Sequence, residues 1–208
     1  LRTPEGVVVD DHPIHTTGGT YAFVSVAPGD YLIRATLTDY RPEPLAIPSF
    51  DIRHDAEPDE PVWVERTLTM LPGNTVITTL HFESSPQLAA TSIGSAADEH
   101  RLDDMATIYF RVRQFVDWVK VALTPETGPT VHFHTFAEGE DPDTAFYRPT
   151  TFEIYFGTDF SAYEERDGVP SGTEVDEAPE NGEWHEFTHH LFRTFVIGFS
   201  PCPGTNQA

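Results

Sequence analysis

The residues best placed to do chemistry lie near the C-terminal end, in Trp184-His185-Glu186-Phe187-Thr188-His189-His190. His185 and His189 are four apart, so on a helix they share a face and project side by side. Two imidazoles in that register can grip one Zn²⁺. Glu186 follows the first and projects to the flank of the pair. From there it reaches a metal-bound water without ligating the metal. Zinc lowers the pKa of such a water to roughly 7, and the carboxylate takes the proton as general base. The same five-residue pattern also arises by chance as surface histidines in unrelated chains, so its meaning depends on the elements around it.

Those elements can be read from periodicity. Pro179 and Asn181 are start signals for a helix around the pair and Gly198 is a stop. Trp184, Phe187, Leu191, Phe192, Phe195 and Val196 form its apolar stripe, with the His pair at the edge, where a cleft between core and solvent would lie. His190 projects about 100° from His189 and reads as a surface or outer-layer residue. Upstream, Asp98 to Leu123 carries Leu102, Met105, Ala106, Tyr109, Val112, Val116, Val119 and Leu123 at three- and four-residue steps. A second apolar line of Ile108, Phe115, Trp118 and Ala122 predicts a long helix buried on more than one side. Strands are predicted at Thr130 to Phe136 and at Thr151 to Gly157. His132 and His134 lie two apart on the first, so both face one way. That geometry suits a metal and equally suits the polar face of an ordinary strand.

The first third is different. Val7-Val8-Val9, Tyr21 to Val26 and Tyr31 to Leu37 are β-rich runs broken by Gly18-Gly19 and Pro28-Gly29-Asp30. Tyr21, Phe23 and Val26 put one side of their run on a core. Val62 to Met70 and Thr75 to Phe82 flank Leu71-Pro72-Gly73-Asn74 as a second predicted hairpin. Turns every ten or so residues with no helical pattern predict a small sandwich. His12 and His15 read as exposed loop residues, and Asp51 to Glu60 as a solvated acidic loop. Ser84-Ser85-Pro86 is the predicted domain boundary.

Two segments carry a family resemblance. Gly19 to Ala35, with its Gly-x-Tyr-x-Phe-x-x-Val-x-Pro-Gly-x-Tyr spacing, resembles carboxypeptidase regulatory-like domains, which are immunoglobulin- or transthyretin-like sandwiches. That resemblance covers roughly residues 1–84 and implies an accessory module without catalysis, with a cell-surface or polysaccharide ligand. Trp184 to His190 resembles the zinc helix of zincin metallopeptidases, nearest the gluzincin type. It implies zinc on His185 and His189, Glu186 as base and a polypeptide substrate. Phe152 to Gly157 resembles the edge strand lining the substrate cleft there, which implies substrate-binding roles for Phe152, Ile154, Phe156 and Gly157. The expected architecture is therefore an all-β sandwich over residues 1–84 followed by an α+β zincin-like N-terminal half over residues 85–208.

There is one departure from the family. After His190 the sequence has no Asp, Glu or His, and Phe192 and Phe195 stand where a metzincin has its Gly and third His. The third ligand is expected in a longer parent protein, of which this chain, opening at Leu1 and closing in Pro201 to Ala208, reads as a piece. Glu153 and Glu164 are upstream alternatives. The competing reading is a non-catalytic extracellular adhesion or binding protein whose zincin-like half is degenerate.

Composition narrows the partners. The chain has 12 Lys+Arg against 34 Asp+Glu, a net charge of −22, and Lys120 is its only lysine. Such a field repels phosphate backbones and anionic lipid, so nucleic acid is excluded as a partner. No apolar run approaches the roughly 18 residues that span a bilayer. The acidic surface suits a protein kept hydrated in high salt, and equally an Arg-biased genome. One cysteine, Cys202, forbids an internal disulfide. The family resemblances imply an extracellular or cell-surface location. The acidic residues Asp141, Asp143, Asp167, Asp176, Glu177, Glu180 and Glu183 could offer oxygen ligands to Ca²⁺, but they read better as solvated loops. Solvated loops predict a melting temperature unchanged by a calcium chelator; a drop of several degrees on chelation would assign calcium a structural role.

Overall fold

The computed structural model describes residues 1–10, 21–39, 49–55, 57–82, 90–93, 99–122, 129–137, 145–157 and 182–195. The elements run β1 (Gly29–Thr36), β2 (Thr38–Asp39), β3 (Phe50–His54), β4 (Trp63–Met70), β5 (Ala90–Thr91), α1 (Glu99–Ala122), β6 (Val131–Ala137), β7 (Ala145–Arg148), β8 (Glu153–Gly157) and α2 (Gly182–Phe195). The architecture is mixed α/β, with a three-stranded sheet β1-β4-β5 and a five-stranded sheet β2-β3-β6-β8-β7. Among the described residues no helix is long and apolar enough to cross a membrane.

The small sheet is antiparallel, with Gly29 opposite Met70 and Thr36 opposite Trp63. Its inner side gathers Leu1, Tyr31 and Ile33, with Tyr21, Phe23 and Val26 packed against them. The alternation in Tyr21 to Val26 does aim at a core, but that run forms no strand. Thr75 to Phe82 forms none either. The turn before it closes, with Gly73 at φ +74° and the Asn74 N–H donating to the Leu71 carbonyl at 3.2 Å. The strand β4 pairs with β1 on one edge and with β5 on the other.

The expected boundary at residue 84 and the all-β sandwich before it need correcting. β2 and β3 lie before that boundary, yet they belong to the five-stranded sheet. β3 runs parallel to β6, with Phe50 opposite Val131 and His54 opposite Thr135. The segment read as a solvated acidic loop is thus, from Asp51 to His54, an interior strand. Its alternation explains why. Phe50 and Ile52 are fully buried on one face, while Asp51 and Arg53 stand on the other. The register then lines up rows across the sheet. Ile52, Phe133, Ile154 and Tyr147 form one facing the helices; Asp51, His132, Glu153 and Arg148 form another on the opposite face.

Asp51 shows how that polar face is satisfied. It accepts Arg53 Nε at 2.9 Å and meets His132 Nδ1 at 2.9 Å. Burial pushes its carboxyl up, but the His132 and Arg53 contacts outweigh burial and hold it below the ordinary carboxylate value.

α1 lies on the apolar face, with Leu102, Met105, Ile108, Val112, Phe115, Val116 and Val119 buried. Two-sided burial is as the periodicity predicts, except that Trp118 is exposed and stacks on Phe115 at 6.0 Å. Buried Arg113 on α1 reaches Asp39 on β2 at 2.6 Å, and the Tyr109 hydroxyl donates to the Thr38 carbonyl at 3.3 Å. These bonds tie the helix to a strand from the first third. One apolar core therefore runs from Leu37 and Phe50 through α1 to Phe187 and Leu191. A fragment beginning at residue 85 lacks β3, leaves one edge of β6 bare and removes Phe50 from Phe133, Phe187 and Tyr109. It is expected to show no cooperative unfolding transition by circular dichroism; a two-state melt from that fragment would restore the two-domain boundary.

Candidate metal centre

α2 turns on the 100° step of an α-helix. Glu183, Phe187, His190 and Leu191 are buried, and Phe187 meets Phe50, Phe115 and Phe133 at 6.5, 6.0 and 5.9 Å. Trp184 docks the helix on α1, stacking on Phe115 at 5.5 Å and donating from Nε1 to the Arg111 carbonyl at 2.9 Å. The buried face is rotated from the one predicted, since Phe192 is exposed at 43 % while His190 is fully buried. The reason is the partner across the interface. The Tyr147 hydroxyl lies 2.9 Å from His190 Nδ1, so the ring can leave water without losing its hydrogen bond. Pro179, Asn181, Val196 and Gly198 lie outside the described residues, as do His12 and His15.

With that face fixed, His185 and His189 fall on the solvent side. Their Nε2 atoms are 3.1 Å apart and the rings stand at 80°. Two nitrogens on one tetrahedral zinc, each at about 2.05 Å, lie about 3.3 Å apart, so the pair is already spaced for a shared ion. Burial first, and then the neighbouring His185 ring, holds His189 below its ordinary pKa, which favours the neutral form a metal requires. Glu186 Oε1 is 3.8 Å from His185 Nε2. Among the described residues, His185, Glu186 and His189 are the one group of three metal-capable side chains with ligand atoms within 4.8 Å of one another.

Glu186 is not an ordinary surface carboxylate. It is 8 % exposed, and burial pushes its carboxyl up to about 7 against a hydrogen bond from the Tyr147 backbone amide. A carboxyl poised there exchanges a proton near neutral pH. Glu183 sits one turn earlier, fully buried and raised above the usual carboxylate range by burial, with Arg111 Nη1 at 3.8 Å. Its burial removes it from the candidate calcium ligands. Asp141, Asp143, Asp167, Asp176, Glu177 and Glu180 lie outside the described residues.

The predicted cleft strand requires correction. β8, which holds Ile154, Phe156 and Gly157, is paired on both sides, parallel to β6 and antiparallel to β7. Its backbone is engaged, and Ile154 and Phe156 are fully buried, so none of these residues is free to meet a substrate. Phe152 precedes β8 at φ +60° and sets its ring edge against His190 at 5.8 Å. The edge position belongs to β7, whose short Ala-Phe-Tyr-Arg stretch gives too few residues for a period to show. β7 is antiparallel to its neighbour and packs beside α2. Glu153 is no third ligand. It stands on the face away from α2, accepting from the Tyr155 hydroxyl at 3.0 Å, with His134 Nε2 at 3.5 Å. Glu164 lies outside the described residues.

His132 and His134 share a face as predicted, and they are part of the polar rows rather than a metal pair. His132 is held by Asp51, and His134 stacks on Tyr155 at 4.7 Å.

Compared with protein-family models, curated proteins and solved structures, the chain matches none of them. The chemistry of the site therefore rests on its own geometry.

Burial pulls His134 below its ordinary pKa, partly offset by Glu153. The fold holds the ring neutral, while the unfolded chain takes up a proton near pH 6.5. Stability contributed by that neutral ring is thus lost as pH falls below 6.5, at up to about 1.4 kcal/mol per pH unit. Chemical denaturation of wild type and His134→Phe across pH 5 to 7.5 checks this: the stability difference is expected to move in the variant's favour on the acid side. A difference independent of pH would show that His134 protonates equally in both states.

Proposed function

We propose that this chain carries the zinc-binding half of a metal-dependent endopeptidase of zincin type. The observation that supports it most is the 3.1 Å separation of the His185 and His189 Nε2 atoms on one helical face, with the Glu186 carboxyl at their flank. The surroundings agree with that reading. A helix-backed mixed sheet ends in an antiparallel strand, β7, packed on α2 through Tyr147 and His190, and an extended peptide can add to such an edge. Tyr21, Phe23 and Val26 pack on β1 in a small apolar cluster of the first third, which is continuous with the rest of the fold. The resemblance of that segment to carboxypeptidase regulatory-like domains favours work outside the cell or at its surface.

Bound zinc would supply a Lewis acid and acidify water toward a pKa of about 7. The chain's own residues do the rest. His185 and His189 would hold the ion from one face of α2. Glu186 would take a proton from water at its carboxyl. The same carboxyl then delivers a proton to the departing amine. The open-edge backbone groups of β7 other than the Tyr147 amide would orient the substrate backbone alongside.

Two measurements test this. Zinc titration by competition with a chromophoric chelator should give one ion per chain in wild type, weakened at least a hundredfold in the His185→Ala, His189→Ala double variant. Hydrolysis of a mixed peptide library should fall at least a hundredfold in Glu186→Gln, with the zinc retained. Undiminished hydrolysis in that variant removes Glu186 as base. Zinc bound equally well by the double variant removes the site, leaving the adhesion or binding reading.

A further inference from the structure

We infer that Tyr147 and His190 form a positioning pair, holding the edge strand β7 so that the Tyr147 backbone amide stays on the Glu186 carboxylate. The assignment deepens the hydrolase reading, and its catalytic consequence rests on that reading.

Tyr147 grips α2 at two points one helical turn apart. Glu186 and His190 are four residues apart, so both face β7. The Tyr147 amide donates to Glu186, and the Tyr147 hydroxyl meets His190 Nδ1 at 2.9 Å. Tyr147 stands opposite Ile154 on β8. An amide that reaches α2 points away from β8, so Glu186 takes a donor from the strand's open edge. A carboxylate with one backbone donor has one preferred orientation, and here that orientation depends on where β7 lies.

His190 is built for the other half of the grip. Its ring lies parallel to Phe187 at 5.8 Å and 1°. Phe152 and Tyr147 meet it edge-on at 5.8 and 5.6 Å. Thr194 Oγ1 is 3.5 Å from its Nε2. A residue needed only to fill this box would be Phe or Leu, because burying an imidazole costs desolvation of two polar nitrogens. Imidazole adds the contact to the Tyr147 hydroxyl. In either tautomer one hydrogen lies in that contact, since the phenol can donate or accept. Phe152 accepts a left-handed backbone, unusual for a bulky residue, and in it packs its ring edge on the imidazole.

The test compares the full chain as wild type, Tyr147→Phe, His190→Phe and His190→Gln. Exchange of individual backbone amides is followed by NMR, zinc affinity by chelator competition, and kcat and KM on the peptide library. Tyr147→Phe, which removes one oxygen, is expected to speed exchange at residue 147 roughly fivefold. Exchange at Ile154 and Phe156 should stay within twofold, and so should zinc affinity. His190→Phe should match it, and His190→Gln should restore most of the protection. The residue-147 amide resonance should also shift in Glu186→Gln. Where the protein hydrolyses the library, kcat falls about tenfold or more while KM holds. Unchanged exchange at residue 147 overturns the assignment. So does an equal speeding at Ile154 and Phe156, which would mean a generally loosened hairpin. If His190→Phe does not fold, Tyr147→Phe decides alone. If wild type binds zinc and hydrolyses nothing, the hydrolase reading fails while the exchange data still decide the grip. Unchanged kcat in Tyr147→Phe, where the wild type is active, removes the catalytic consequence.

Discussion

The rotation of α2 about its own axis sets every chemical feature of this chain. Phe187 is driven between Phe50, Phe115 and Phe133, and Leu191 follows it into the same core. Burying a Phe contributes about 2–3 kcal/mol, so the seating is strongly preferred over neighbouring rotations. Once Phe187 is seated, the 100° step leaves no freedom. His190 must face β7, Glu186 must lie at the margin of the core, and His185 and His189 must emerge together. Turning the helix by one residue would bury an imidazole without a partner and expose an aromatic ring.

The sheet beneath α2 is equally constrained by its two faces. The row Ile52, Phe133, Ile154 and Tyr147 meets the helices, and the row Asp51, His132, Glu153 and Arg148 meets none of them. A one-residue slip in any strand would carry carboxylates into the core and phenylalanines out of it. That two-faced pattern fixes β3 next to β6 despite about eighty residues of intervening chain, whose closure costs only slowly more with length. It also explains why the first third is not an independent module: its third strand is an interior strand of the other sheet, and Arg113 on α1 pairs with Asp39 beside it.

What the sequence reveals follows from which interactions are local. The helical character of α1 and α2, and the shared face of His185 and His189, depend on helical period alone. They were readable from the residues, and the helices form close to where periodicity puts them. β6 and β8 were readable as β-rich runs. The long-range choices were not. Asp51-Ile52-Arg53-His54 looks like loop because half its side chains are charged, and the row that receives Asp51 and Arg53 comes from β6 and β8. Thr75 to Phe82 has strand composition but forms no ladder; β4 pairs with β1 on one edge and with β5 on the other. His190 reads as a surface residue until Tyr147 supplies its partner from a four-residue strand too short to show a period. Assigning the cleft strand to Phe152 to Gly157 failed for the same reason: whether a strand is interior or edge is decided by its neighbours, not by its own residues.

The central claim is that two ring nitrogens on adjacent turns of α2 share one zinc. X-ray absorption at the zinc edge, on the zinc-loaded chain, observes those bonds directly. Two imidazole shells at about 2.0 Å, lost when both histidines become alanine, are the expected result. A sulfur shell from Cys202, or a purely oxygen shell with no imidazole scattering, would contradict it.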